Sequence, residues 1–494
     1  MIERLKENLV YFVFFFLSLI LIWCFITLRI RLATLVFLSL LLVAFAVRMK
    51  WGIYLLLVYY ALVGLIRRLM YVYERHVRFD PLSVAHDFLV AFFFILILLT
   101  KKEKVLESLK KDRLFGVAVF LLLVEILQIF NPLQGNVFVG MGGAKFIIIP
   151  FLGFFIGYLL DGLEFEGLWK LMLVVGVATA LYGWKQILFG YAPFEMKWWR
   201  SVRYFSLSIP GGGVRPISTF SSAADYADFL WVMVLISLYY LTEKRHFLLG
   251  GMLFVFFSLS LFFSAIRTTF FSFAVGFSLY LHFSIKNRVR RVLFDIIYVS
   301  LLILAVAFLY FGENLFYSMG KMGIRLIHMR EGILYPFSPT STFWGHYAAW
   351  KNAISHFLKN PLGYGLGAPT LAGIRMLGRQ IWTESDVLST IVATGILGLF
   401  GLFLFFFQSI KRTWCLWDKY YMKDGLLIMS IAIPMIFISQ TLSYFCGLLV
   451  FLVLGIACRK YMEIKESEAG ETEMGSHRLS RKENRGIDKP QKKI

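Results

Sequence analysis

"LVYFVFFFLSLILIWCFITL" fills residues 9–28, a run without a single charged side chain. Roughly 20 apolar residues make a helix long enough to cross the hydrocarbon core of a bilayer. A second such run, Val292–Phe311, is interrupted only by Asp295 and Ser300. Composition points the same way, with 59% hydrophobic and 16% charged residues, where soluble domains carry about 25% charged. The reading is an all-α, polytopic membrane protein rather than an ordinary soluble domain. Met1–Asn8 mixes acidic and basic residues and no small-residue cleavage site follows the first run. It is therefore expected to be a retained span and not a signal peptide.

Apolar runs read against their breaks give about fourteen spans of roughly bilayer length. They fall near 9–28, 32–47, 51–66, 86–100, 114–130, 145–160 and 168–189, then 226–242, 247–264, 268–285, 292–312, 387–409, 425–439 and 442–457. The last two could form a tight hairpin turning at Ser439-Gln440-Thr441. Basic residues in short loops mark the cytoplasmic side. "KKEKVLESLKKDR" (101–113), "EKRH" (243–246), "KNRVRR" (286–291) and "KRTWCLWDKYYMKD" (411–424) all fall on one side of this count, with both termini. The membrane domain is thus 1–458, and 459–494 is expected to be a cytoplasmic tail without regular structure, being charged and poor in apolar residues. Cys24, Cys415, Cys446 and Cys458 lie in spans or in cytoplasmic segments, which suggests neither a disulfide framework nor a metal site. Two long segments, 190–225 and 313–386, face outward, and the second is too long for a simple connector.

The net charge is +21, much of it in the cytoplasmic loops. The outward side nevertheless carries Arg67, Arg68, Arg75, Arg78, Lys197, Arg200, Arg203, Arg215, Arg267, Lys321, Arg325, Arg330, Arg375 and Arg379. Insertion disfavours cations there. Individually such residues can snorkel to headgroups; as a set they point to an anionic partner, a phosphate, a diphosphate or an acidic sugar. Arg267, in "LFFSAIRTTFFSF" (261–273), sits between two apolar runs where a charge is costly and usually functional. Glu125 and Lys185 also interrupt spans and are expected to pair with each other or with neighbouring helices.

In "TSTFWGHYAAWKNAISHFLKNP" (340–361), Ser341 or Thr342 can cap a helix that Asn360-Pro361 ends at Lys359. His346 and Trp350 then lie one turn apart on one face. Gly363, Gly365 and Gly367 follow, permitting a tight turn or a close backbone approach to a ligand. Downstream, in "WTESDVLSTIVATGILGLFGLFLFF" (382–406), Glu384 and Asp386 begin another span. Acidic residues in a first turn suit the helix dipole, but with His346 they also make three proton acceptors near one outward segment.

Four blocks together resemble the bacterial O-antigen ligase and polymerase superfamily. They are "GGGVRPISTFSSAADYADFL" (211–230), "SAIRTTF" (264–270), "GHYAAWKNAISHFLKNPLGYGLG" (345–367) and "ESDVLSTIVATGILGLF" (384–400), all in the second half of the chain. The resemblance implies a GT-C-like membrane fold with a large outward loop domain, in a bacterial inner membrane. It implies transfer of glycan between undecaprenyl-diphosphate-linked donor and acceptor, with inversion. Many ligases have Arg at the position of His346 and His-Asn near Glu384-Ser385. The form found here is more similar to polymerases of O-antigen and exopolysaccharide.

On this reading Arg215 and Arg267 are the diphosphate-binding candidates, since guanidinium grips phosphate oxygens bidentately. His346, Glu384 or Asp386 is the base, and Trp350 with Gly363, Gly365 and Gly367 lines the substrate site. The diphosphate linkage supplies the energy, so no nucleotide is expected, and since neither long outward segment holds an Asp-x-Asp element, no metal or other cofactor is expected either. Expected partners are the lipid-linked substrates, the bilayer, and a chain-length regulator or flippase, with no nucleic acid. A ligase acting on a finished chain is the alternative. A transporter of lipid-linked sugar comes third: it would favour internal repeats and interrupted helices near the midplane, whereas no convincing repeat is seen and the polar features gather in the outward loops.

Overall fold

The computed structural model describes residues 13–485, except 14, 25–26, 75–83, 203–206, 210–212, 244–245, 340–342 and 439–444. The hairpin turn expected at 439–441, the caps Ser341 and Thr342, and the cations Arg75, Arg78 and Arg203 lie outside the described residues.

The chain is almost wholly helical. Its helices are α1 (Phe15–Cys24), α2 (Ile30–Val47), α3 (Met49–Leu69), α4 (Ala85–Thr100), α5 (Lys102–Lys111), α6 (Arg113–Gln128) and α7 (Val137–Leu159). Then come α8 (Phe165–Phe189), α9 (Pro193–Val202), α10 (Ala223–Thr242), α11 (Phe247–Ser264), α12 (Arg267–Ser284) and α13 (Arg288–Phe311). The series ends with α14 (Glu313–Ser318), α15 (Gly320–Leu334), α16 (Phe343–Lys359), α17 (Leu371–Leu377), α18 (Asp386–Asp418), α19 (Lys423–Phe437) and α20 (Phe445–Arg485). The described strands are β1 (Ser208–Ile209) and β2 (Gly213–Val214), paired antiparallel with Ser208 opposite Val214.

Among the described residues nine helices are long and apolar enough to cross a membrane, namely α2, α3, α7, α8, α10, α11, α13, α18 and α20. This is a polytopic membrane protein. The other five segments read as spans are helical too, but α1, α4, α6 and α19 are short and α12 is more polar. From Arg459 the polar tail, expected to lack regular structure, instead continues α20 to Arg485. Its Lys, Glu and Arg residues are good helix formers, and Lys460–Glu164 and Lys419–Glu468 ion pairs tie its first part to the body.

Close helix contact in lipid needs small residues, because tails are as apolar as side chains and packing must supply the attraction. The central pair, α7 and α20, shows this. Gly153 and Gly157 face the carbonyls of Leu448 and Leu452, and Gly455 faces that of Phe154. At one end the basic loops are stitched together by Lys101–Asp161 and Lys423–Glu243 pairs. There Asp112 caps α6, accepting from Leu114 N–H at 2.8 Å, and also accepts from Arg412 and the Tyr158 hydroxyl, both at 2.7 Å. The α13 helix stands apart, apolar and unburied along its membrane window.

The α18 helix is not continuous. Gly395 has φ 69° and ψ −156°, far from helical values. Asp386 and Phe406 line one and the same cleft, although a straight helix would set them roughly 30 Å apart at 1.5 Å per residue. The helix is therefore a hairpin, with a short arm Asp386–Thr394 folded back along the longer arm from Ile396. A break in a membrane helix exposes backbone groups that lipid cannot satisfy. The glycine-rich turn satisfies them. Tyr364 and Gly365 N–H donate to the carbonyls of Val392 and Ala393 at 3.0 and 3.1 Å, and Ile396 N–H donates to Pro361 O at 2.7 Å.

Candidate functional site

Two groups of side chains gather at the end of the bundle opposite the basic loops. The first is cationic. Arg215 leaves β2 with its backbone pinned on both sides. Its N–H donates to Leu207 O at 2.8 Å and its carbonyl accepts the Tyr191 hydroxyl at 2.6 Å. Its guanidinium Nη2 then reaches His328 Nε2 on α15 at 2.8 Å. Arg325, three residues earlier on the same helix face, binds the carbonyls of Phe263 and Val214 at 2.7 and 2.8 Å. It thereby fastens α15 to α11 and β2. Arg267 opens α12 just after Ala265, a left-handed residue, and its guanidinium lies across Gly332 of α15.

Like charges crowd here. Burial first, then the Arg267 charge, lowers the Arg215 guanidinium from its ordinary range. Burial likewise brings Arg325 down to about 10, with Arg215 adding to the effect. His328 falls to about 4, through burial and then through Arg215 and Arg267, so it is a neutral imidazole at pH 7. The carboxylate acting on Arg267 is Glu331. Such a concentration of guanidinium in a half-buried setting favours an anion with several oxygens.

The structure thus brings together Arg215 and Arg267, far apart in sequence. It adds His328, which the sequence reading missed. The available signal was Arg325-x-x-His328, a spacing that puts both on one helix face. Two other cations of the set expected to face outward serve the fold. Arg68 is buried, donates to the carbonyls of Phe220 (2.9 Å) and Ser218, and lies 3.8 Å from the buried Glu195. Arg330 pairs with Glu313 at 2.5 Å. Lys185 turns to Glu195 at 3.4 Å, while Glu125 lies elsewhere, in the cleft beside α18.

The second group joins α16 to the strand-like approach to α18. His346 Nδ1 lies against Glu384 Oε2. Trp382 Nε1 donates to Glu384 Oε1 at 2.9 Å, and Asn352 Nδ2 donates to Trp382 O at 3.0 Å. Glu384 holds a left-handed φ of 48°, a conformation with a cost for a non-glycine residue. The hydrogen bond to His346 holds its carboxyl below the usual range, against burial. A carboxylate on Nδ1 selects the tautomer protonated there and leaves Nε2 as the basic nitrogen. Trp350, one turn along, is exposed. Asp386 begins the short arm of α18 and lines the cleft that also holds Glu125. The three expected proton acceptors therefore divide, His346 with Glu384 and Asp386 into the cleft.

The glycines are occupied by the fold. Gly363 N–H donates to Asn360 O at 3.1 Å, Gly365 N–H to Ala393 O at 3.1 Å and Gly367 N–H to Gln134 Oε1 at 2.9 Å. Gly363 and Gly365 have φ of 93° and 86°. The amides expected to approach a substrate are thus bonded within the protein. The apolar run after Asp386 needed a patch at Gly395, and the turn is that patch. Among the described residues no group of three or more His, Cys, Asp and Glu side chains could hold a metal ion. No protein-family model and no curated protein matches the chain.

Proposed function

We propose that this chain is a polysaccharide polymerase, a glycosyltransferase that moves glycan from an undecaprenyl-diphosphate carrier onto a lipid-linked repeat unit. The observation that carries the reading is the convergence of Arg215, Arg267, Arg325 and His328 from three separated stretches of sequence. Its charge matches a diphosphate. Arg215 and Arg267 stabilise the departing diphosphate, where preorganised donors are worth most. His346, oriented by Glu384, takes the proton of the acceptor hydroxyl, and the exposed Trp350 ring offers a stacking face to a sugar. The acceptor oxygen bonds to the anomeric carbon as the carbon–diphosphate oxygen bond breaks, with inversion and without a nucleotide.

The topology that goes with this reading has about fourteen spans of bilayer length and a GT-C-like architecture in a bacterial inner membrane. Both termini are cytoplasmic and segments 190–225 and 313–386 face outward. Mass analysis of lipid-linked and surface glycans in cells lacking the gene tests it. Accumulation of single repeat units supports a polymerase. Long chains stranded on the lipid carrier would make the protein a ligase instead, and unchanged chains depleted outside the membrane would make it a transporter.

A further inference from the structure

Glu125 is a buried acidic side chain of the bundle. It lies one turn from the end of α6, is 2% exposed, and its Oε2 is buried without a hydrogen-bond partner. It lines a cleft shared with the short arm of α18 (Asp386, Val387, Thr390) and walled by apolar side chains including Phe146 and Phe406. The cavity measures about 30 Å³. At roughly 10–15 Å³ for each enclosed water, it admits about two or three waters and is too small for a sugar.

The surroundings decide what can neutralise this carboxyl. The helices around α6 are α18, α7 and α5. From α18 the titratable group at the cleft is Asp386, another acid; Arg412 of the same helix is bound to Asp112 at the other end of α6. From α7 comes Lys145, beside the lining residue Phe146, and it pairs with Asp87 at 2.8 Å. The charged residues of α5 adjoin the start of α6, away from Glu125. No cation lines the cleft. An ionised carboxylate in such a setting costs several kcal/mol, and intramembrane acids are rarely there for packing alone.

We infer that Glu125 and the water-sized cavity beside it form a proton-binding site within the membrane domain. Taking up the proton removes the Glu125 charge from the cleft and lets the short arm of α18 close on it. Losing the proton creates a buried anion that draws water in and loosens that arm, whose first residue stands two positions from Glu384. The inference goes beyond the glycosyl-transfer reading and does not depend on it.

Infrared difference titration of the purified full-length protein in detergent tests the site. The wild type is expected to show the carbonyl stretch of a protonated carboxyl at pH 7 that is absent from Glu125→Gln and retained in Asp386→Asn. Thermal unfolding gives a second readout. Glu125 protonated in the fold and ionised in the unfolded chain means that stability falls as pH rises, and Glu125→Gln, a neutral isostere, flattens that fall. If the neutral-pH band is missing from the wild type, or unchanged in Glu125→Gln, the inference is overturned. Identical slopes for wild type and Glu125→Gln as pH rises from the ordinary carboxyl value of 4.5 would overturn it as well.

Discussion

The guanidinium of Arg267 lies so close over the α-carbon of Gly332 that a β-carbon there would overlap it. Two residues on different helices, both at the entrance to the cationic group, are thus fitted to one another, with glycine as the seat of an arginine.

Replacing that seat tests the role of Arg267 without touching it. Alanine favours a helix interior over glycine by about 1 kcal/mol, so Gly332→Ala has no intrinsic helical penalty. The added carbon displaces the guanidinium. Activity, read as glycan chain length in complemented cells, is expected to fall on the order of 10- to 100-fold, as when a preorganised donor is lost. Membrane levels of the protein stay near normal. Arg267→Ala falls at least as far, and full activity in both variants would remove Arg267 from the diphosphate site.

His328 confers a pH dependence of its own. Its folded value, about 4, is below the ordinary 6.5. The unfolded chain therefore binds the proton more readily between those values. The stability it confers is complete above pH 6.5 and drains away as pH falls towards 4. Thermal melts of His328→Gln should lose that part of the acid decline. Superimposable pH profiles for the two proteins would contradict the assignment.

For Glu384 the sign is that of a depressed acid. Its pairing with His346 contributes fully above the ordinary carboxyl value of 4.5 and is lost as pH falls through the lowered folded value. Glu384→Gln should melt lower than wild type at pH 7 and converge with it in strong acid. The same variant is expected to lower activity about 10²- to 10⁴-fold if His346 is the base that Glu384 orients, with a changed pH–rate profile. Loss of stability with an intact rate profile would leave the pair a purely structural one.

The glycine turn is predicted to fail by misfolding. At Gly363 a β-carbon would strike Ala393 O and at Gly395 it would strike Pro361 O, both with positive φ. Alanine at either should cost several kcal/mol, combining backbone strain and collision, and leave little protein in the membrane. Gly378, also at positive φ but with open space around it, provides the control. Its alanine variant should cost only about 1–2 kcal/mol and accumulate normally. Immunoblotting of membranes compares the three.

Much of the scaffold is readable from local pattern. Each long apolar run carries its own length, and the stop of α16 at Lys359 is written in Asn360-Pro361. What was hidden depends on partners far away in sequence. Thr394-Gly395-Ile396 sits in an unbroken apolar stretch, and a glycine by itself costs a helix only about 1 kcal/mol. Nothing local tells that residues 361–365 stand ready to accept the broken ends. Arg68 and Arg330 looked like their neighbours Arg215 and Arg267, since a cation's partners, a carbonyl or a carboxylate in one case and another guanidinium in the other, are set by tertiary contact. Glu125 looked ready to pair with Lys185, but Glu195 had already taken that lysine.

The break at Gly395 also has a meaning for biosynthesis. A ribosome delivers the chain from its N-terminus, so Pro361, Tyr364 and Gly365 are made before the bonds they must complete are needed. The apolar stretch that follows Asp386 can enter the insertion machinery as a single overlong segment. It acquires its bend only when it meets the turn already made. Reversing that order, by circular permutation between residues 367 and 386, would present the bend to lipid with its backbone unmet, and the nascent protein would become a substrate for quality-control proteolysis.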